Sequence, residues 1–333
     1  MPSTPCLPSF VQLHRPDDAA VRAELAAGLA LTQPHIAPKF LYDALGSRLF
    51  DAITELAEYY PTRTEAAIFA QHAPDMAQAV PAGAVLIDLG AGSCAKAERL
   101  FPALRPAAYV AVDISVDYLR AALDALQQRH PALPMLGLGM DFSARLALGP
   151  QAADWLATSG AARLPRAVFY PGSSIGNFSP TEALALLRQA HAVCAAGGAG
   201  GGLLIGVDRV KPRAVLEPAY DDPLGVTAAF NRNLLLNVNR LLGADFAPQA
   251  WRHVAFFNAE ASRIEMHLEP TRAQTVRWPG GERHFAAGER LHTENSYKWE
   301  PADFEALLHE AGFGAVRHWS DPHDWFSVFW APV

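Results

Sequence analysis

The chain has 333 residues, enough for about two domains, and half of them are hydrophobic, so it can fill a large core. A net charge of −7 without a Lys/Arg cluster argues against a nucleic-acid-binding surface. The longest apolar run, "HAVCAAGGAGGGLLIGV", is short and broken by glycines and does not span a membrane.

Residues 1–36 are polar and proline-marked and are expected to wrap the surface; they lack the basic and then apolar pattern of a signal peptide. From Lys39 to Ala79 the spacing predicts helices over "YDALGSRLFDAITEL" and "TRTEAAIFAQHAPDMAQAV". Then the period changes. "AVLIDLG", "AYVAVDIS", "MLGLGMDF", "AVFYPGSS" and "GLLIGVDR" are short apolar runs, mostly separated by helix-like stretches. Such alternation predicts an α/β fold with a doubly wound, mostly parallel sheet, whose strands are buried on both faces. The glycines at 197–202 read as a turn feeding the last of these strands.

After Asp208 the alternation stops. "DPLGVTAAFNRNLLLNVNRLLGADF" reads as one long helix, followed by β-like runs "RHVAFFNAE", "RIEMHLEP" and "AQTVRW" with alternating polar residues. The end returns to the first style, with "ADFEALLHEAGF" as a helix and "GAVRHWSD" and "WFSVFWAPV" as a strand pair. An α+β domain at 209–288 is therefore expected inside a discontinuous first domain, 1–208 and 289–333, of which 37–80 is the helical part. Cys6, Cys94 and Cys194 lie far apart, which suits a reducing cytoplasm. The twelve histidines have no metal-ligand spacing, so no metal site is expected.

"VLIDLGAGSCAK" runs from a strand through glycines into a helix. Gly90 and Gly92 allow a tight turn and a close approach to a ligand. The third glycine of a dinucleotide loop would fall at Ala95 and is missing, which disfavours a nicotinamide-dependent oxidoreductase. The acid before the loop, Asp88, suits a cationic ligand. Asp113, one βαβ step later, can grip both ribose hydroxyls. Asp141 can meet an exocyclic amine, or cap a turn, and Phe142 can cover an adenine face. Together these read as an S-adenosylmethionine site. Lys96 is either a solvated charge or reaches the carboxylate of the cofactor's methionine part.

"YPGSSIGNFSP" follows the fourth apolar run, on the strand edge where open α/β folds bind ligands, and its Asn177 offers both a donor and an acceptor. "PKFLYDALGSRLFDAITELAEYYPTRTEA", "LIDLGAGSCAK", "GSSIGN", "AYDDPLGVTAAFNRN", "RIEMHL" and "TENSYKW" occur in collinear order from Pro38 onward. Through these blocks the chain resembles the histidine-specific Nα-methyltransferases, which make hercynine, the first intermediate of ergothioneine synthesis.

The resemblance implies a Rossmann-like class I methyltransferase sheet with an inserted second domain, and S-adenosylmethionine as methyl donor. It implies that Asn177 and Tyr220 hold the substrate carboxylate, that Tyr42 lies close to the α-amine, and that Tyr59 reaches the ring through water. Glu294 and Ser296 match the pair that grips the imidazole, Met266 part of the ring wall, and Thr227 and Phe230 positions lining the pocket. Gly90, Gly92, Lys96, Asp113, Asp141 and Phe142 fall to the cofactor. If "LHTENSYKWE" is extended, Glu294 and Ser296 share one face. A carboxylate and a hydroxyl can meet the donor and the acceptor of an imidazole. Indole, with one N–H, would not want the carboxylate, so histidine is favoured over a tryptophan derivative; a ring-modified histidine stays open. The expected protein is a cytoplasmic, monomeric enzyme acting on a small molecule, without nucleic-acid or membrane partners.

Overall fold

The computed structural model describes residues 7–13 and 17–333; Cys6 lies outside them. The strands, in chain order, are β1 (Ser9–Gln12), β2 (Val85–Leu89), β3 (Ala108–Asp113), β4 (Met135–Gly139), β5 (Pro165–Tyr170), β6 (Gly198–Asp208), β7 (Trp251–Asn258), β8 (Arg263–Pro270), β9 (Gln274–Trp278), β10 (Gly281–Phe285), β11 (Leu291–Tyr297), β12 (Arg317–Ser320) and β13 (Phe326–Pro332). They fall into two compact units. One takes β1 with Pro61–Val210 and Trp299–Val333; the other runs from the first helix to Tyr60 and takes Lys211–Lys298. This division differs from the expected 209–288 insertion, because the helices before Tyr60 and all of β11 join the second unit.

The first unit is built on one eight-stranded sheet in the order β1-β4-β3-β2-β5-β6-β13-β12. The strands from β1 to β6 pair in parallel, and β13 and β12 close the far edge antiparallel. β2 and β4 are buried at every residue, as near-continuous Val, Leu, Ile and Met require. Cores lie on both faces, one around Ile87, Val110 and Leu203, the other around Leu86, Tyr109 and Phe169. The strand order reverses between β2 and its neighbours β3 and β5, which makes their carboxyl ends the ligand-binding edge of such a sheet.

Two expectations are corrected. The N-terminal residues do not merely wrap the surface. Ser9–Gln12 extends the sheet along β4, and the Asp18–Ala30 helix buries Leu25 and Leu29. The four-residue strand was hidden in the sequence because it has only two strongly apolar residues between prolines. The glycines at 197–202 are not a turn before the strand but its first half, since β6 starts at Gly198. Their role is close packing: a Cβ on Gly202 would lie 2.6 Å from the Ala331 carbonyl oxygen and 2.8 Å from the Trp330 ring.

In the second unit β11-β8-β7 form an antiparallel sheet and β9 and β10 a hairpin. The Val226–Leu242 helix packs on β7, on the Asp18–Ala30 helix and on the Ala44–Thr54 helix. Three asparagines on it are buried, and each has an amide donor in use. Asn231 gives to the His267 carbonyl (3.1 Å), Asn233 to Asp43 (2.8 Å) and Asn237 to the Phe40 carbonyl (2.7 Å). Asp43 also caps the Ala44–Thr54 helix through the Gly46 N–H at 2.8 Å. The backbone around Tyr42 is thus fixed from both sides.

We expect Gly202→Ala to lower stability by about 1–3 kcal/mol, the usual cost of an overpacked core. Urea unfolding checks this; an unchanged midpoint would mean that β13 yields to the added methyl group.

Candidate active site

In the first unit the loop after β2 turns through Gly90 (φ +68°) and Gly92 (φ +51°), backbone that glycine adopts at little cost. Asp113, at the end of β3, holds the loop: Oδ2 accepts from the Gly92 N–H at 2.9 Å and Oδ1 from the Ser115 N–H at 2.8 Å. Each oxygen keeps a lone pair for a ribose hydroxyl. Burial raises the Asp113 pKa, while the two N–H groups pull the other way. Beneath the loop, Asp88 is fully buried. Burial pushes its pKa up to about 7 against the 2.7 Å hydrogen bond from the Tyr109 hydroxyl, and its Oδ1 has no partner. Phe142 stands edge-on to Tyr170, ring centres 5.7 Å apart, and is the nearest side chain to a Cβ on Gly90, at 3.9 Å. Asp141 accepts from the Ser143 N–H at 3.0 Å. An open glycine backbone, a ribose-type carboxylate, an unsatisfied buried acid and an aromatic ring fit S-adenosylmethionine.

Lys96 is not a solvated charge. Its ammonium donates to Glu65 at 2.8 Å, and Glu65 is buried at 1% exposure. The other Glu65 oxygen accepts from the Gly172 N–H at 2.7 Å, in the loop that carries Asn177. One carboxylate therefore ties the first turn of the Ala95–Leu104 helix to the loop after β5. Asn177 ends the 3-10 turn Ser174–Asn177 and is half-buried.

In the second unit β11 pairs with β8, and the register shifts between His292 and Glu294. Beyond that bulge Glu294 faces Met266 and Ser296 faces Ile264. Glu294 is 7% exposed, its Oε2 is buried without a hydrogen-bond partner, and burial pushes its pKa up to about 8, with Lys298 pulling it down. Ser296 Oγ lies 2.8 Å from the Tyr220 hydroxyl. The Lys298 ammonium donates to both, at 2.8 and 2.9 Å, and sits 4.8 Å from the centre of the Tyr220 ring. Aromatic rings complete this region. Tyr42 stands edge-on to Phe50 (5.6 Å) and Phe230 (5.5 Å), and Tyr59 to Phe50 (6.1 Å) and Tyr220 (6.2 Å). Asp222 accepts from the Val226 and Thr227 N–H groups and so starts the helix bearing Thr227 and Phe230.

Residues 21–333 match the model of a family described as histidine-specific, S-adenosylmethionine-dependent methyltransferases. The chain belongs to that family. It is 39% identical over 309 residues to the histidine N-alpha-methyltransferase of Mycolicibacterium smegmatis, covering 91% of this chain and 92% of the relative. With the protein of the same description from Mycobacterium tuberculosis it shares 38% over 317 residues, 92% and 94% of the two chains. Ergothioneine biosynthesis protein 1 of Neurospora crassa is 32% identical over 84% of this chain, which spans 31% of that longer protein.

The site expectations for this methyltransferase divide by unit. Gly90, Gly92, Lys96, Asp113, Asp141, Phe142 and Asn177 lie in the first, and Tyr42, Tyr59, Tyr220, Thr227, Phe230, Met266, Glu294 and Ser296 in the second. Tyr220 and Ser296, expected at opposite ends of the substrate, have hydroxyls in hydrogen-bond contact. Three supporting residues were missed. Lys298 continues the period-2 face of Glu294 and Ser296, a signal present in "ENSYK". Glu65 gave none, because its partners are 31 and 107 positions away. His253 donates from Nε2 to the Tyr220 carbonyl at 2.8 Å while Nδ1 accepts from Asn231 at 2.9 Å, which steadies Tyr220 from behind. Among the described residues no group of His, Cys, Asp and Glu could hold a metal ion.

The raised pKa of Glu294 makes a stability prediction. Between its ordinary 4.5 and about 8 the folded chain binds more protons than the unfolded one, so stability falls as pH rises through that window. Glu294→Gln removes the dependence. The ligand-free variant should exceed the wild type by roughly 1–3 kcal/mol at pH 8 and lose that advantage toward pH 4.5. Thermal unfolding across this range checks it; parallel curves would contradict a buried, unpartnered acid. Separately, Asp113→Ala should weaken S-adenosylmethionine binding at least about tenfold by calorimetry, given the strength of hydrogen bonds to charged groups.

Proposed function

We propose that this methyltransferase trimethylates the α-amine of L-histidine, giving hercynine in three successive transfers. The observation that carries the reading is the buried, unpartnered Glu294 carboxyl beside the Ser296 hydroxyl on one strand face. An uncompensated buried acid is costly, and a ring N–H relieves the cost. When bound, S-adenosylmethionine supplies a methyl group on a sulfonium centre, activated toward a nitrogen lone pair. Gly90, Gly92, Asp113, Asp141 and Phe142 hold its nucleoside part, and Lys96 its carboxylate.

The protein's task is then chiefly to position the amino acid. The reaction moves positive charge from sulfur to nitrogen, so no new anion needs stabilising, and orientation supplies most of the acceleration. The α-amine must lose a proton to expose its lone pair before each transfer. Tyr42 orients the lone pair or passes the proton to water. Each transfer removes a hydrogen-bond donor from the head group, so the grip must come from elsewhere. Asn177 and Tyr220 hold the carboxylate, and Glu294 and Ser296 hold the ring. The rings of Tyr42, Phe50, Tyr59 and Phe230 offer faces on which a quaternary ammonium rests by cation–π attraction.

The product is a precursor suited to ergothioneine synthesis. Two buried free thiols, Cys94 and Cys194, support a reducing, cytoplasmic setting; burial pushes both up to about 12, so neither is a nucleophile. No helix among the described residues is long and apolar enough to cross a membrane. We take the working form to be a monomer.

The test is incubation of each of the twenty amino acids with S-adenosylmethionine, followed by mass spectrometry. Histidine should gain three methyl groups and tryptophan none. Glu294→Ala should raise the histidine KM by roughly two orders of magnitude, as expected for losing one partner of a buried charged contact. It should leave S-adenosylmethionine affinity nearly intact. Preference for another amino acid, or an unmoved KM, would overturn the assignment.

A further inference from the structure

Glu65 is a buried acid close to the donor loop to which the proposed reaction gives no role. It is 1% exposed on the Tyr60–Ala79 helix, and both of its oxygens are in use. Oε2 accepts from the Lys96 ammonium at 2.8 Å and Oε1 from the Gly172 N–H at 2.7 Å. Two glycines make room for the pair. A Cβ on Gly206 would collide with Oε1, and a Cβ on Gly172 (φ +79°) would lie 2.7 Å from the Lys96 nitrogen. The carboxylate is therefore held in one position, and the ammonium it grips is pinned against the loop after β5. Asp88 feels the charge of both partners, but its own hydrogen bond comes from Tyr109.

We propose that Glu65 is a positioning residue for the methyl donor, presetting the Lys96 ammonium where the donor's carboxylate binds. The proposal rests on the reading that Lys96 takes that carboxylate. An ammonium has three donors, Glu65 takes one, and the Lys96 side chain is 33% exposed, so it keeps capacity for a ligand. A lysine stem left alone samples many rotamers, and a ligand that has to order it binds more weakly. Glu65 removes that freedom before the ligand arrives. Coulomb attraction by itself gives the opposite sign, since an acid beside Lys96 offsets part of the charge offered to the ligand. The partly exposed ammonium lies where water screens charge, so fixing its direction outweighs that offset. The sign of the change on removing Glu65 decides between the two effects.

Methylthioadenosine isolates the effect, because it carries the nucleoside part of the donor and no carboxylate. Its binding to the full chain is compared with that of S-adenosylhomocysteine by calorimetry. Glu65→Gln keeps the shape but can no longer accept from Lys96 and Gly172 together. It should weaken S-adenosylhomocysteine about tenfold, the weight of a hydrogen bond to a charged group, and leave methylthioadenosine within about twofold. Glu65→Asp, which draws the carboxylate back by one methylene, should show the same split and serves if the first variant folds poorly. In a Lys96→Met background, Glu65→Gln should change S-adenosylhomocysteine affinity by less than about twofold, because its effect passes through the ammonium. Unchanged or tighter S-adenosylhomocysteine binding in the Gln and Asp variants, or an equal loss of both ligands, would overturn the role of Glu65. If Lys96→Met binds both ligands as the wild type does, the reading of Lys96 falls, and this inference with it.

Discussion

The second unit holds one desolvated carboxyl that sets the demands on its surroundings. Glu294 sits on β11 beyond a bulge, with one oxygen buried and unmatched, and burial outweighs the attraction of Lys298 enough to push its pKa up to about 8. Folding tolerates such a group only if the rest of the unit is stable enough to hold it, and binding then recovers what folding lost. Several polar groups nearby are held in place by hydrogen bonds. Asn231, Asn233 and Asn237 fix the segments around the site, and His253 fixes Tyr220. Glu294 Oε2 is among the buried polar atoms of this unit left unmatched, with Asn231 Oδ1 and His267 Nδ1.

In the first unit Asp88 keeps one buried oxygen unmatched, and other acids near the loop are satisfied from within. Asp113 receives two N–H groups, and Glu65 receives Lys96 and the Gly172 N–H. Gly206 is required by this arrangement, because a Cβ there would fall 2.0 Å from a Glu65 oxygen.

Much of this was legible in the sequence because it rests on short-range rules. Period-2 and near-continuous apolar runs marked the buried strands, and glycines marked the donor loop. The alternation in "ENSYK" put Glu294 and Ser296 on one face. What stayed hidden depends on contacts between distant residues. Nothing in "RTEAAIF" announces that Glu65 will be buried against Lys96, and the glycines of β6 reveal their packing role only once β13 lies beside them. The boundary between the units was misplaced for the same reason. β11 follows an inserted segment in sequence, but its backbone partner is β8 of that segment, so it folds with the insertion.

The central claim is that the Glu294 carboxyl grips the imidazole of histidine. The most direct measurement is a crystal structure of the protein with histidine and S-adenosylhomocysteine bound. Glu294 Oε2 should lie within hydrogen-bond distance of one ring nitrogen and the Ser296 hydroxyl within reach of the other. A histidine bound with its ring away from Glu294, that oxygen still unmatched, would contradict the account.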